Sequence, residues 1–220
     1  HLVLRRQRQM CIRDSLNAGC LFIIPTYNTS SDGTGYESAR INSQNKRKFK
    51  YGRVDISFSV PEITGVWPAL WMMPEKSVYG NWPRSGEIDI VETINEKSDE
   101  LVTTIHYGHD YHRQISKTTF LNQLTKLSNP IDHNKISLIW EEKYFEWLLN
   151  DQLVFKVNFN EVENLEPNPF LEEFYLLINV AVGGNWPGTP NSTMYCNSRK
   201  SCPDVKKLIV DYIAYYEKIN

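Results

Sequence analysis

The stretch Ser85-Gly86-Glu87-Ile88-Asp89-Ile90-Val91-Glu92-Thr93-Ile94 constrains the fold of this chain more than any other. Its aliphatic residues have the composition of a buried β-strand, yet three carboxylates interrupt them. A buried acid is costly unless it is paired or used. With a strand period of two, Glu87 and Asp89 share one face, and Glu92 falls on the opposite, apolar-packed face. A one-residue β-bulge at Ile90-Val91 removes the conflict, because the extra residue turns Glu92 back beside the other two. Three acids then stand in a row on one sheet face, an arrangement expected of chemistry rather than of a core.

Most other segments also read as strands. Val54, Ile56, Phe58 and Val60 alternate with Arg53, Asp55, Ser57 and Ser59, which predicts a half-buried strand stopped by Pro61. Phe145 to Leu149 and Leu153 to Val157 flank Asn150-Asp151-Gln152, a hairpin signal. Phe174 to Val182 is strand-like and ends at Gly183-Gly184, and Leu208 to Tyr216 supplies another strand. Thr118 to Leu127 is the one place for a short helix or an irregular excursion. Short strands punctuated by Gly, Pro and Asn imply an all-β sandwich or jelly roll in one domain, without linker or repeat.

A formal charge of −2 over 220 residues gives no reason to expect a nucleic-acid or membrane partner. No apolar run approaches a membrane span. The first fifteen residues stand apart. The chain starts at His1 rather than Met, and Arg5, Arg6, Arg8 and Arg13 face one acid, Asp14. Removing them leaves 20 bases against 25 acids, a net −5. Arg5 to Ser15 resembles translated sequencing-adapter read-through at the end of an assembled reading frame; the alternative is a natural basic tail. Residues 1–15 are therefore expected to be a non-native or disordered tail, and 16–220 the domain.

Cys196-x5-Cys202 lies in a polar loop and can close a small disulfide in an oxidising compartment, whereas a zinc site lacks nearby ligands. Two sequons, Asn28-Thr29-Ser30 and Asn191-Ser192-Thr193, fit a secreted protein. A signal peptide is not present, which says nothing about location. A monomer is expected.

Paired carboxylates across a groove are the machinery of glycoside hydrolysis; in retaining enzymes they stand about 5–5.5 Å apart. Glu87 and Glu92 can meet that spacing once the bulge is counted, and Asp89 between them can hold one acid in place and keep the other protonated. An exposed strand face bearing acids is the plain alternative. A calcium site is another, although Ile88, Ile90 and Val91 leave few oxygen ligands.

Glu87-Ile88-Asp89-Ile90-Val91-Glu92 resembles the bulged E-x-D-x-x-E signature of glycoside hydrolase family 16, the laminarinase-like (endo-1,3-beta-glucanase) jelly-roll enzymes. Further segments are similar in the same order: Lys50-Tyr51-Gly52-Arg53-Val54, Gly65-Val66-Trp67-Pro68-Ala69-Leu70-Trp71, Asn81-Trp82-Pro83, Thr104-Ile105-His106-Tyr107-Gly108 and Gly183-Gly184-Asn185-Trp186-Pro187-Gly188. The resemblance implies a concanavalin A-like sandwich of two curved antiparallel sheets with a concave substrate cleft. It implies Glu87 as nucleophile, Asp89 as assisting acid and Glu92 as general acid/base. It places Trp71, Trp82, His106, Arg40 and Trp186 at the substrate, although the family has Gly where this chain has Ala39. For Trp67 a core role is at least as well supported, and His109, His112 and His133 read as surface or structural. The family's first strands have no counterpart upstream of Leu21. No cofactor is implied; the structural calcium of many relatives would use Asp211, but its other ligands are missing.

The function that follows is retaining, endo-acting cleavage of β-1,3-glucan (laminarin-type) or mixed-linkage β-glucan. The alternatives are a galactan hydrolase of agarase or carrageenase type and a non-catalytic β-1,3-glucan recognition protein, which retention of Glu87, Asp89 and Glu92 opposes.

Overall fold

A computed structural model describes residues 6–10 as backbone, together with 19–28, 35–94, 99–121 and 134–218. The early strands are β1 (Arg6–Met10), β2 (Leu21–Ile23), β3 (Thr26–Tyr27), β4 (Tyr36–Glu37) and β5 (Arg40–Asn42). The central ones are β6 (Gly52–Ser59), β7 (Val66–Pro74), β8 (Glu87–Glu92), β9 (Glu100–Tyr107) and β10 (Arg113–Phe120). The last are β11 (Asn134–Trp140), β12 (Tyr144–Leu149), β13 (Gln152–Asn158), β14 (Phe174–Val182) and β15 (Leu208–Tyr216). One sheet has the order β10-β9-β8-β7-β14-β5; a second has β1-β15-β6-β11-β12-β13, with β2 also on β15. This is the expected two-sheet antiparallel sandwich, and the acidic strand β8 lies in the middle of the first sheet.

The core fills the space between the sheets. Ile88, Ile90, Leu70, Met72 and Ile105 from the first sheet meet Ile56, Phe58, Leu138, Trp140, Phe145 and Trp147 from the second, each 2 % exposed or less. Their rings meet edge to face, as where Phe145 lies 5.2 Å from Phe170 at 75° and Trp140 lies 5.5 Å from Phe174 at 86°. Each such side chain contributes about 1.5–3 kcal/mol by leaving water. That is enough, summed over the cluster, to hold one face of β8 against the core while the other carries acids.

Two strand predictions are met residue for residue, at β14 and β15. The hairpin between β12 and β13 turns on Asn150 and Asp151, both with positive φ (50° and 68°), which short polar side chains tolerate. The expectation of a half-buried strand at Arg53–Val60 is corrected. Asp55, Ser57 and Ser59 are as buried as their apolar neighbours, because β6 is flanked on both sides and Arg53 folds its guanidinium back over Asp55. Of the segment proposed as helix or excursion, Thr118–Phe120 continues β10; residues 122–127 lie outside the described residues. So do Thr29, Ser30 and His133. Arg6–Met10, within the tail set aside on sequence grounds, runs antiparallel to β15 from Tyr216 to Tyr212, beyond the stretch of β15 that β2 pairs. Cys196 and Cys202 are joined by a disulfide.

Candidate active site

The bulge is present and does what the sequence requires of it. On β7, Trp71 pairs with Asp89 and Leu70 with Val91, so Ile90 has no partner of its own. On the other side the register with β9 breaks between Asp89 and Glu92. Ile88, Ile90 and Val91 all reach the core, and Glu87, Asp89 and Glu92 all line one cleft on the opposite face. Gly86 sets the start of β8. Its φ is +80°, and a Cβ there would stand 3.1 Å from both Phe170 and Pro169.

The three acids differ in their surroundings. Asp89 is 1 % exposed and Glu92 8 %, while Glu87 is half-buried. Burial, then the charge of Glu87, then a hydrogen bond with Glu87 push the Asp89 carboxyl well above the ordinary carboxylate range. Asp89 is thereby the proton-holding partner of that bond. Burial, then the negative charge shared by the Asp89–Glu87 pair, push Glu92 up to about 8, against the pull of the Trp67 indole, whose Nε1–H donates to Glu92 Oε1 at 2.8 Å. A carboxylic acid that keeps its proton at neutral pH faces the cleft.

The cleft has a volume of about 540 Å³. Trp71 forms one wall: its Nε1–H donates to Asn179 on β14 at 2.7 Å, and the Arg40 guanidinium lies 4.6 Å above its ring. Trp186, 40 % exposed, sets its ring edge against Trp67 at 4.9 Å. Trp82, 48 % exposed, lies apart from these on the far side of the acids, over a pair of histidines. His106 Nε2 is 3.1 Å from Asp89 Oδ2, and His106 Nδ1 is 2.8 Å from His112 Nε2. Indoles flanking buried acids suit a sugar polymer, whose rings present apolar C–H faces between hydroxyls.

Residues 7–138, more than half of the chain, match the family model described as XgeA-like, catalytic GH16 domain. The chain belongs to glycoside hydrolase family 16. It is 36% identical to glucan endo-1,3-beta-glucosidase A1 of Niallia circulans over 83% of this chain and 26% of that protein, so it spans little more than a quarter of that relative's length. It is 28% identical to a beta-glucanase of Rhodothermus marinus, over 93% of this chain and 71% of that one. The catalytic domain of an endo-1,3-beta-glucanase (laminarinase) from Thermotoga petrophila superposes with a TM-score of 0.76 at 27% identity, covering 98% of this chain and 92% of that one.

Within this family-16 domain, Glu87, Asp89, Glu92, Trp71 and Arg40 converge on the cleft, Trp186 stands at its margin against Trp67, His106 reaches Asp89 from β9, and Trp82 lies over His106 and His112 rather than in the cleft lining. Two residues gain a place that their sequence context did not give them. Trp67, read equally as core, turns its indole N–H to Glu92, and His112, read as surface or structural, is exposed but bonded to His106. Trp67 is two residues from Ala69, the residue opposite Glu92 in the β7–β8 register, and therefore on the same face, a register that the sequence does not show. Ligand atoms of Glu87, Asp89 and His106 lie within 4.8 Å of one another, but the bond between Glu87 and Asp89 makes this a proton-sharing group. Asp211, to which the resemblance attaches a structural calcium, sits at a register shift in β15 and accepts a bond from the Cys20 thiol at 3.6 Å.

Proposed function

We propose that this family-16 domain is a retaining, endo-acting β-glucanase that cleaves β-1,3-linked or mixed-linkage glucan. One observation carries the reading: Glu92 is held protonated near neutrality on the same strand face as Glu87, across the bulge, in an open indole-walled cleft. Glu87 attacks the anomeric carbon while Glu92 gives its proton to the departing glycosidic oxygen. Asp89, donating to Glu87, orients the nucleophile and weakens that bond as negative charge leaves it. Once Glu87 is esterified, its charge no longer raises Glu92. Glu92, deprotonated by the first step, therefore stays ionised and takes a proton from the incoming water as that water's oxygen bonds to the anomeric carbon and displaces Glu87. The glucan relatives support the substrate class, and the Cys196–Cys202 disulfide supports a secreted protein.

The test is reducing-sugar release from laminarin, lichenan, agarose and carrageenan side by side. Release from laminarin or lichenan, with the β-anomer appearing first by proton NMR, is the expected result. Release from agarose or carrageenan alone moves the substrate to galactan, an initial α-anomer removes the retaining mechanism, and binding without release makes the domain a recognition module.

A further inference from the structure

The histidine pair behind the acids contains a residue that this mechanism does not use. His112 sits on the turn between β9 and β10, and that turn is tight: Gly108 has φ +125°, and a Cβ there would meet Tyr111 O at 2.1 Å. The turn folds His112 back on His106, with ring centroids 5.0 Å apart and planes 28° from parallel, while the Trp82 indole covers His112 from 4.7 Å. Trp82 and the turn thus hold His112 in place although it is exposed.

Two imidazole nitrogens 2.8 Å apart share a single proton, so one ring donates and the other accepts. The choice dictates what His106 offers Asp89. When His112 Nε2–H donates, neutral His106 carries its proton on Nε2 and directs it to Asp89 Oδ2, 3.1 Å away. When His106 donates instead, its neutral Nε2 turns a lone pair toward that carboxyl. Asp89 Oδ2 is buried and, among the described residues, no donor reaches it at a well-aligned angle, so a small rotation of the His106 ring decides whether it is satisfied. Catalytic hydrogen bonds in unliganded enzymes are often loose in this way and tighten with substrate.

We propose that His112 is a positioning residue: by donating through Nε2 to His106 Nδ1 it locks His106 in the Nε2–H tautomer and aims that proton at Asp89, the residue that steadies Glu87. The titratable groups facing His112 agree with a neutral donor. Burial and His106 lower its pKa, and Glu87 on β8 opposes them. The nearby cations are engaged elsewhere, Arg113 over the Tyr111 ring at 3.7 Å and Arg84 on His109 O at 2.8 Å. The proposal rests on the roles given to Glu87, Asp89 and Glu92, but its first readout does not.

That readout is the tautomer of His106 in long-range proton–nitrogen correlation spectra of the ¹⁵N-labelled chain. Nε2–H is expected in the unmodified protein, lost in His112→Phe, which keeps a flat ring under Trp82, and regained in His112→Gln, whose amide nitrogen can stand in for Nε2. On laminarin, His112→Phe should lose roughly tenfold in kcat with KM within about twofold, and His112→Gln should recover to within about threefold. The proposal is overturned if His106 keeps the Nε2–H tautomer in His112→Phe, if kcat is unchanged there, or if Gln is no better than Phe. Should the unmodified protein release no sugar from any glucan, the proposed function fails, while the tautomer still decides the part played by His112.

Discussion

Strands β6 and β8 each carry a buried acid at the centre of a sheet, and they handle it in opposite ways. Asp55 on β6 is met by the Arg53 guanidinium two residues away, which reaches on to Ser137 and Asp151. Among the described residues, the acids of β8 have no Lys or Arg as a bonded partner. They meet one another, an indole N–H and a histidine. A carboxylate with a cation beside it is held as a structural ion pair. Carboxyls left to face each other are held out of their ordinary protonation states, at a cost in stability, and that is where proton transfer can be done. The contrast turns on the counter-charge rather than on burial, since Asp55 and Glu92 are 6 % and 8 % exposed.

Glu87→Ser removes the proposed nucleophile while leaving the fold and the indole walls, and has the largest expected effect. Hydrolysis of laminarin should fall by about 10³-fold or more, with binding retained in affinity electrophoresis. A variant that still turns laminarin over sinks the assignment.

The next largest effect is on stability, and its sign separates the two strands. The pKa of Glu92 rises from 4.5 to about 8 on folding. Below 4.5 the folded and unfolded chains both hold this proton; between those values only the folded chain does, so stability falls as pH rises through the window. Glu92→Gln keeps an acceptor for Trp67 and cannot ionise. It should be more stable than the unmodified chain at pH 8, by up to about 4 kcal/mol, and equal to it near pH 4. Urea midpoints across this range measure the difference, and a Gln variant less stable at pH 8 would show that Glu92 is held charged. On β6 the opposite sign is expected. Arg53→Ala leaves Asp55 without its cation and should cost about 1–2 kcal/mol at neutral pH, discounted for the partial exposure of Arg53, with kcat unchanged.

The sequence already distinguished these strands in part. An alternation broken by one residue is enough to place a bulge, because three acids and three aliphatics cannot otherwise sort to two faces, and the structure puts that bulge where the spacing asked for it. The strand ends of β14 and β15 were legible for the same reason, as periodicity bounded by glycine and polar loops. Cross-strand partners were not. That Trp67 would reach Glu92 depends on the register between strands that the sequence does not show, and that Arg53 would fold back over Asp55 depends on a rotamer held by Ser137 and Asp151 from distant segments. His112 was hidden for a different reason: its place is set by the turn at Gly108, and a histidine in a polar loop has no period to reveal which way it points.

The smallest expected effect probes the indole donor on Glu92. Trp67→Phe keeps an aromatic ring beside Trp186 and removes only the Nε1–H that reaches Glu92 at 2.8 Å. That bond favours the charged carboxylate and so pulls the Glu92 pKa down, against the larger push of burial and of the Asp89–Glu87 pair. Without it, Glu92 should keep its proton to higher pH. Near neutrality, where Glu92 is already protonated, kcat should change by less than about threefold, but the alkaline limb of the pH–rate profile should move upward. A limb that stays in place would mean that the indole only fills space; one that moves downward would mean that another group on β8 supplies the proton. Because the substitution leaves burial and the neighbouring acids alone, the direction of that shift isolates the hydrogen bond from the desolvation that dominates the site.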